Sequence, residues 1–296
     1  MTGPAAWASG CTLAGHVLHR QLGNGTHGTV YLASPAGTNR LVALKLIALP
    51  TDESSAAAAE FFLETAAAAR ALRHPDIVAV YGAGVEAGLG WLAMEPVPGA
   101  ELGRYTQQPR LLPEALVLRV CERLALALAY AHRCGVVHRD VKPANVLVDW
   151  PTDTVKLTDF GLARLADGTN TATGMLLGSP AYMAPEQLAG MVPTPRTDLY
   201  ALGVTMFELL TGQPAYEGHS MGELLRQVAH DPVPELALQR PDLPDSLADL
   251  LRRLLAKSPA KRPADGDAVA HEIRLIATHL PPRLATPPAE AHRRPV

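Results

Sequence analysis

The sequence predicts an α+β chain in two lobes: a small β-rich N-terminal lobe carrying one helix, and a larger, mainly helical C-terminal lobe. Three observations predict it. Short runs of β-forming residues separated by Gly- and Asn-containing turns fill most of residues 16–95. A short Pro/Gly link, Pro96-Val97-Pro98-Gly99, follows and reads as a hinge. Beyond it, over residues 100–280, apolar residues recur mostly at helical spacing.

Taken in order, residues 1–15 are small and unpatterned and are expected to form a flexible leader. VLHRQLG, TVYLAS and RLVALKLI then read as strands, broken by GNGTHG and SPAGTN. Residues 55–72 are alanine-rich, and Ala is the strongest helix former. His74-Pro75 ends that helix, because a residue before proline disfavours the helical region. IVAVYGAG and WLAME complete the small lobe as strands. In the large lobe a helix over 113–134 starts on Pro113, a favourable first-turn residue, and stops at Gly135. Its apolar positions nearly fill the circumference, which predicts a central, buried helix. NVLVD and TVKLTD read as two short strands, and further helices are expected near 197–211, 221–230, 245–255 and 264–279. Residues 281–296 are rich in proline and charge and are expected to be a disordered tail or linker.

Bulk composition excludes several classes. Apolar residues make up 48% of the 296-residue chain, enough for a sizeable core and too many for wholesale disorder. A net charge of −3 lacks the basic excess of a general nucleic-acid binder. No apolar run reaches the roughly 18–20 residues of a membrane span. The N-terminus also lacks a basic region followed by a long apolar core, so no signal peptide is read. Cys11, Cys121 and Cys134 have no metal-ligand spacing; Cys121 and Cys134 fall on the apolar helix and read as buried thiols, which suits a reducing cytoplasm.

Three motifs carry chemistry. Gly23-x-Gly25-x-x-Gly28-x-Val30 lets backbone N–H groups approach a polyphosphate with no Cβ in the way. A dinucleotide fold shares that spacing, but there the last glycine opens a helix, and here it opens the strand TVYLAS. Lys45 lies in the apolar strand Val42-Ala43-Leu44-Lys45 and can neutralise phosphate. The most specific cluster is His138-Arg139-Asp140-Val141-Lys142-Pro143-Ala144-Asn145, followed by Asp159-Phe160-Gly161. Asp140 suits a base that orients an attacking hydroxyl and accepts its proton. Asn145 and Asp159 are oxygen ligands of the kind Mg²⁺ prefers when it also holds phosphates, and Lys142 would steady the transferring group.

Together these strings resemble the Hanks-type protein kinases, and among them the bacterial eukaryotic-like Ser/Thr kinases, over residues 16–280. The resemblance implies a protein-kinase-like bilobal fold and transfer of the γ-phosphate of ATP, with Mg²⁺ or Mn²⁺, to Ser/Thr hydroxyls of proteins. It assigns ATP contacts to Leu22, Gly23, Asn24, Gly25, Thr26, His27 and Gly28. Val30, Ala43 and Leu147 would enclose the adenine, backbone groups of Glu95 and Val97 would bind its edge, and Met94 would lie behind it. Spacing from His74-Pro75 in the family selects Glu64 as the carboxylate that holds Lys45. Lys142, two residues after Asp140, marks the Ser/Thr branch, and Ser179 would bond near both. Ala184-Pro185-Glu186 matches the family's closing motif, Glu186 would pair with Arg262, and Asp198 to Gly203 resembles the start of its central large-lobe helix. Thr171 and Thr173 match the paired activation-loop threonines of similar kinases, with Thr169 a weaker candidate and Arg139 and Arg164 as phosphate partners. Kinases of this type often dimerise through the small lobe, which makes a homodimer a candidate assembly. The competing reading is a pseudokinase acting as a nucleotide-sensing module, which usually lacks one of the groups found at Lys45, Asp140 and Asp159.

Overall fold

The computed structural model describes residues 7, 9–25, 28–50, 55–161 and 180–280. The chain divides into two compact units. One comprises the described residues up to His74, Val78–Val97, and Phe160 with Gly161; the other comprises Pro75–Ile77, Pro98–Asp159 and the described residues from 180 onward.

The first unit is a six-stranded antiparallel sheet with one helix. Strands β1 (Thr12–Leu13), β2 (His16–Gly25), β3 (Gly28–Pro35), β4 (Val42–Ala48), β5 (Val80–Glu86) and β6 (Leu89–Met94) are ordered β1-β2-β3-β4-β6-β5. Strand alternation gives β4 two apolar faces. Ala43 and Ile47 share a cluster with Leu92, Met94 and two residues of helix α1 (Ser55–Ala71), Phe62 and Ala66. Val42, Leu44 and Leu46 belong to the other cluster, with Leu18, Tyr31 and Ala93. Two expectations are corrected here. The leader is not uniformly loose, because Thr12 and Leu13 pair with Val17 and His16 as an edge strand. The fifth strand begins at Val80 rather than Ile77, which instead bridges Leu157 within the second unit.

The second unit holds a three-stranded sheet, β7 (Ala100–Glu101), β8 (Val146–Asp149) and β9 (Thr154–Leu157), in the order β7-β8-β9. Its helices are α2 (Glu114–Arg133), α3 (Pro185–Leu188), α4 (Pro195–Thr211), α5 (Met221–His230), α6 (Leu236–Gln239), α7 (Asp245–Leu254) and α8 (Gly266–Ala277). Helix α2 packs against α4 and α8, but keeps Arg119, Glu122 and Arg133 toward water. The helix buried almost all round is α4, from Thr197 to Leu210. Thr194 caps it: the Thr197 hydroxyl accepts the Thr194 N–H, and Pro195 occupies the first turn where no N–H is needed. Cys121 is buried in α2, and burial pushes its thiol up to about 12. Cys134 is exposed, contrary to expectation, because it stands at the C-cap of α2 where the apolar stripe has ended. Among the described residues no helix is long and apolar enough to cross a membrane.

The ion pair between Arg262 and Glu186 is buried in this unit. Arg262 Nη1 and Nη2 donate to Glu186 Oε1 and Oε2 at 2.6 and 2.8 Å, and Thr197 Oγ1 donates to Oε1 at 2.9 Å. Burial pushes the Glu186 carboxyl up, but the hydrogen bonds from Arg262 and Thr197 outweigh it and hold the group below its ordinary value. A lowered carboxyl contributes stability that is present above its unfolded value, near about 4.3. That contribution is lost as pH falls through the folded value. Arg262→Ala leaves a buried carboxylate unpaired and is expected to cost about 3–5 kcal/mol in urea unfolding at pH 7. Glu186→Gln should flatten the acid limb of the stability curve below about pH 4.3; an unchanged acid limb would show that other carboxylates govern it.

Candidate active site

The glycine segment lies at the join of β2 and β3. Gly23, Asn24 and Gly25 pair with Val30, Thr29 and Gly28, and Thr29 Oγ1 donates to Asn24 Oδ1 at 3.0 Å. Thr26 and His27 lie outside the described residues. The three glycines are not equivalent. Gly28 has φ +121°, and a Cβ there would meet Leu46 O at 2.1 Å, so the fold itself excludes a side chain. Around Gly23 and Gly25 nothing among the described residues lies within 4 Å of an added Cβ. Gly28→Ala should therefore lower the melting temperature by several degrees, with at least about 1–3 kcal/mol from the strained backbone alone. Gly23→Ala should keep the wild-type melting temperature and weaken ATP binding. Equal melting temperatures for the two variants would contradict this division.

The apolar side of the same unit gathers several of the expected adenine contacts. Ala43 and Met94 are buried in one cluster, and Leu22, Val30 and Val97 pack against it. Register places Val30 opposite Lys45, and Ala43 opposite Met94. Glu95 donates its N–H to Ala79 O, and its carboxylate accepts the Ala79 N–H. Leu147 is half-buried on β8 in the second unit.

Glu64 is where the sequence reading fails. It is exposed, although Lys45 is only 5% exposed, and among the described residues no hydrogen bond or ion pair engages the Glu64 carboxylate. The buried stripe of α1 runs through Phe62 and Ala66, and position 64 lies about 200° from each around a helix of 3.6 residues per turn. The next residue, Thr65, flanks the buried stripe, and a Cβ on Gly161 would approach its Cγ2 to 2.9 Å.

Within the second unit the structure brings Asp140, Lys142 and Asn145 together. Lys142 Nζ lies 2.7 Å from Asp140 Oδ2, and Asn145 Nδ2 donates to the same oxygen at 2.8 Å and to Asp140 O at 2.7 Å. All three are buried. Neither side-chain contact uses Asp140 Oδ1, and neither Asn145 bond uses its amide oxygen. His138 links this loop to the segment before Asp159. Its Nδ1 accepts the Asp140 N–H at 3.2 Å, so Nε2 carries the proton and donates to Thr158 O at 2.8 Å. The Thr158 N–H in turn donates to Asn145 O at 3.0 Å. Arg139 and Asp159 have φ +73° and +69°, a left-handed conformation costly for non-glycine residues and concentrated at functional sites.

The residue that sequence reasoning undervalued is Asp198, fully buried at the start of α4. Its Oδ2 accepts the His138 N–H at 2.8 Å and His132 Nε2–H at 2.7 Å, and its Oδ1 accepts the Arg139 N–H at 2.7 Å. Gln187 of α3 donates to Arg139 O at 3.1 Å. The backbone of residues 138–139 is thus tied to α3 and α4. Arg164, Thr169, Thr171, Thr173 and Ser179 lie outside the described residues.

Among the described residues no three His, Cys, Asp or Glu side chains converge on one point. Mg²⁺ bound with phosphates needs only one or two protein oxygens. Asp159 and the Asn145 amide oxygen are of that kind, and the Asn145 amide is turned by its two Nδ2 bonds so that its oxygen is not consumed by them.

An antiparallel sheet with one helix in one unit, and a helical unit carrying a His-Arg-Asp loop, define a kinase-type α+β fold. The chain belongs to the protein kinase domain family, whose model matches residues 16–273. Serine/threonine-protein kinase PknK of Mycobacterium tuberculosis (strain ATCC 25618 / H37Rv) is 39% identical over 260 residues, covering 86% of this chain and 23% of PknK. PrkC of Bacillus subtilis (strain 168) is 35% identical over 244 residues, covering 82% of this chain and 37% of PrkC. The chain therefore spans well under half the length of these two relatives. The crystal structure of the Mycobacterium tuberculosis PknI kinase domain matches with a TM-score of 0.74 at 33% identity, over 92% of this chain and all of that one. Rad53 residues 1–466 in complex with AMP-PNP matches with a TM-score of 0.73 at 23% identity, over 87% of this chain and 64% of that one, which is likeness of fold alone.

Proposed function

We propose that this chain transfers the γ-phosphoryl group of ATP to Ser and Thr hydroxyls of protein substrates. The observation that carries the reading is the Asp140 carboxylate, buried, with one oxygen held by Lys142 and Asn145. A cation and an amide on Oδ2 hold the carboxylate in one orientation, in which Oδ1 would receive the proton of an attacking hydroxyl. In this reading Lys142 would neutralise developing phosphoryl charge, and Lys45 and the glycine segment would act on the phosphates. Asn145 and Asp159 would hold Mg²⁺ or Mn²⁺, which when bound supplies charge neutralisation at the phosphate oxygens. Val30, Ala43, Leu147 and the Glu95 and Val97 backbone receive the adenine.

Phosphate on Thr171 or Thr173, bound by Arg139 and Arg164, fits as the activating event, since a phosphothreonine carries about −1.5 to −2 charges. By family likeness a cytoplasmic location and a homodimer through the small lobe complete the reading; sedimentation of the purified chain tests the dimer. The main test is incorporation of label from γ-³²P-ATP, followed by phosphoamino-acid analysis. Phosphoserine and phosphothreonine are expected, with mass spectrometry finding Thr171 or Thr173 modified in wild type and not in Asp140→Asn. Incorporation no higher than that of Asp140→Asn would instead support a nucleotide-sensing pseudokinase, and a product dominated by phosphotyrosine would overturn the hydroxyl specificity.

A further inference from the structure

Helix α1 covers the face of the sheet on which Lys45 lies. Ala43 and Ile47 flank Lys45 on β4 at two-residue steps, and both belong to the cluster that contains Phe62 and Ala66 of α1. The 5% exposure of Lys45 shows that its side chain is not turned to water. Toward that face α1 presents Phe62 and Ala66, with Ala59 and Ala69 packed beside them at helical spacing. The helix has two acidic residues, Glu60 and Glu64, and both are exposed. The polar residue at the edge of the inward stripe is Thr65, whose methyl faces Gly161, two residues beyond Asp159. Helix α1 thus offers no carboxylate to the side of the sheet that carries a buried ammonium, and the polar residue beside its inward stripe is a threonine.

We propose that this kinase positions Lys45 without a carboxylate from α1: Glu64 takes no part in ATP handling, and Thr65 occupies the helix position from which an acid would reach Lys45. The proposal rests on the assignment of Lys45 to the phosphates only for its catalytic consequence; the geometric part stands apart from it. Its physical content is that the charge held at Lys45 is not tied to the seating of α1 by an ion pair, and that α1 meets the segment after Asp159 through a methyl contact.

The test is a pair of double-mutant cycles read in thermal stability, which needs no activity. Coupling between two positions appears as non-additivity when they touch and vanishes when they do not. Glu64→Gln should shift the melting temperature equally, within about 1 °C, in the Lys45 and Lys45→Met backgrounds. Thr65→Glu should be tolerated beside Lys45 and be at least about 4 °C more destabilising beside Lys45→Met, where its carboxylate has no cation. In the kinase assay, Glu64→Gln should keep kcat and the KM for ATP within about twofold of wild type, since a surface glutamate makes no transition-state contact. A tenfold or greater loss of kcat/KM in folded Glu64→Gln would overturn the proposal, as would coupling of Glu64 rather than position 65 to Lys45. Glu64 is exposed, so its variant folds and keeps the proposal falsifiable should Thr65→Glu fail to fold. If instead Lys45→Met retains full kinase activity, the phosphate role of Lys45 fails while the stability cycles still decide how α1 meets it.

Discussion

Asp140→Asn is expected to lower the turnover of phosphoryl transfer about 10²–10⁴-fold while leaving the fold in place. The loss follows from the arrangement around the carboxylate. Asp140 Oδ2 receives Lys142 Nζ at 2.7 Å and Asn145 Nδ2 at 2.8 Å, so an asparagine there can present its oxygen to the same two donors. Its NH₂ must then occupy the place of Oδ1. That group cannot take a proton from an incoming hydroxyl, and it removes the negative charge that Lys142 faces. The main-chain bonds of the loop are untouched, because the Asp140 N–H goes to His138 Nδ1 and its carbonyl accepts from Asn145. The expected signature is therefore a fall in kcat with a small change in the KM for ATP, measured on folded protein with one peptide substrate under saturating metal, together with a lowered melting temperature because the buried Lys142 loses its counter-charge. A folded Asp140→Asn enzyme with wild-type kcat would remove Asp140 from the reaction and the proposed function with it.

How much of this was legible in the sequence depended on whether the signal was contiguous. Asp140, Lys142 and Asn145 lie within six residues, and their side chains meet in the structure because so short a loop, locked through His138 and Asn145, has few other conformations. The sheet was legible as well, since β3 and β4 carry dense runs of β-formers and Gly28 could be placed between strands. Helix α1 was legible as a helix but not as a face. Ten of the 17 residues of SAAAAEFFLETAAAARA are alanine or serine, so the inward stripe is marked by little more than Phe62, and a one-residue slip carries Glu64 inward on paper. Cys134 misled for a related reason, since it follows an apolar helix yet stands past the end of its buried stripe. Asp198 could not be ranked by sequence, because an acid in the first turn of a helix ordinarily needs no explanation beyond the helix dipole. Its three donors come from residues 59 to 66 positions away, and only the fold assembles them.

Asp198→Ala is expected to destabilise the chain by about 3–5 kcal/mol and to reduce kcat by at least about 10²-fold in whatever fraction remains folded. The carboxylate is fully buried and accepts two backbone N–H groups and one imidazole N–H. Truncation leaves three buried donors without their acceptor, each worth about 1–3 kcal/mol when orphaned, less whatever is recovered by water entering the space. The catalytic effect has a separate origin. Arg139 is held at φ +73° between the Asp198 bond to its N–H and the Gln187 bond to its carbonyl. Without Asp198 one of those restraints is gone, the residue relaxes toward an unstrained conformation, and Asp140, the next residue, moves with it. Asp198→Asn separates hydrogen-bond chemistry from volume. Its shape is nearly that of aspartate, but one of its two oxygens becomes an NH₂ that must face a buried N–H donor, whichever way the amide is turned. A donor set against a donor is worse than a lost bond, so Asn should fall close to Ala in urea unfolding rather than close to wild type. Near-wild-type stability and turnover in Asp198→Asn would mean that one acceptor oxygen suffices, and that the catalytic loop is held chiefly by its own His138 and Asn145 bonds.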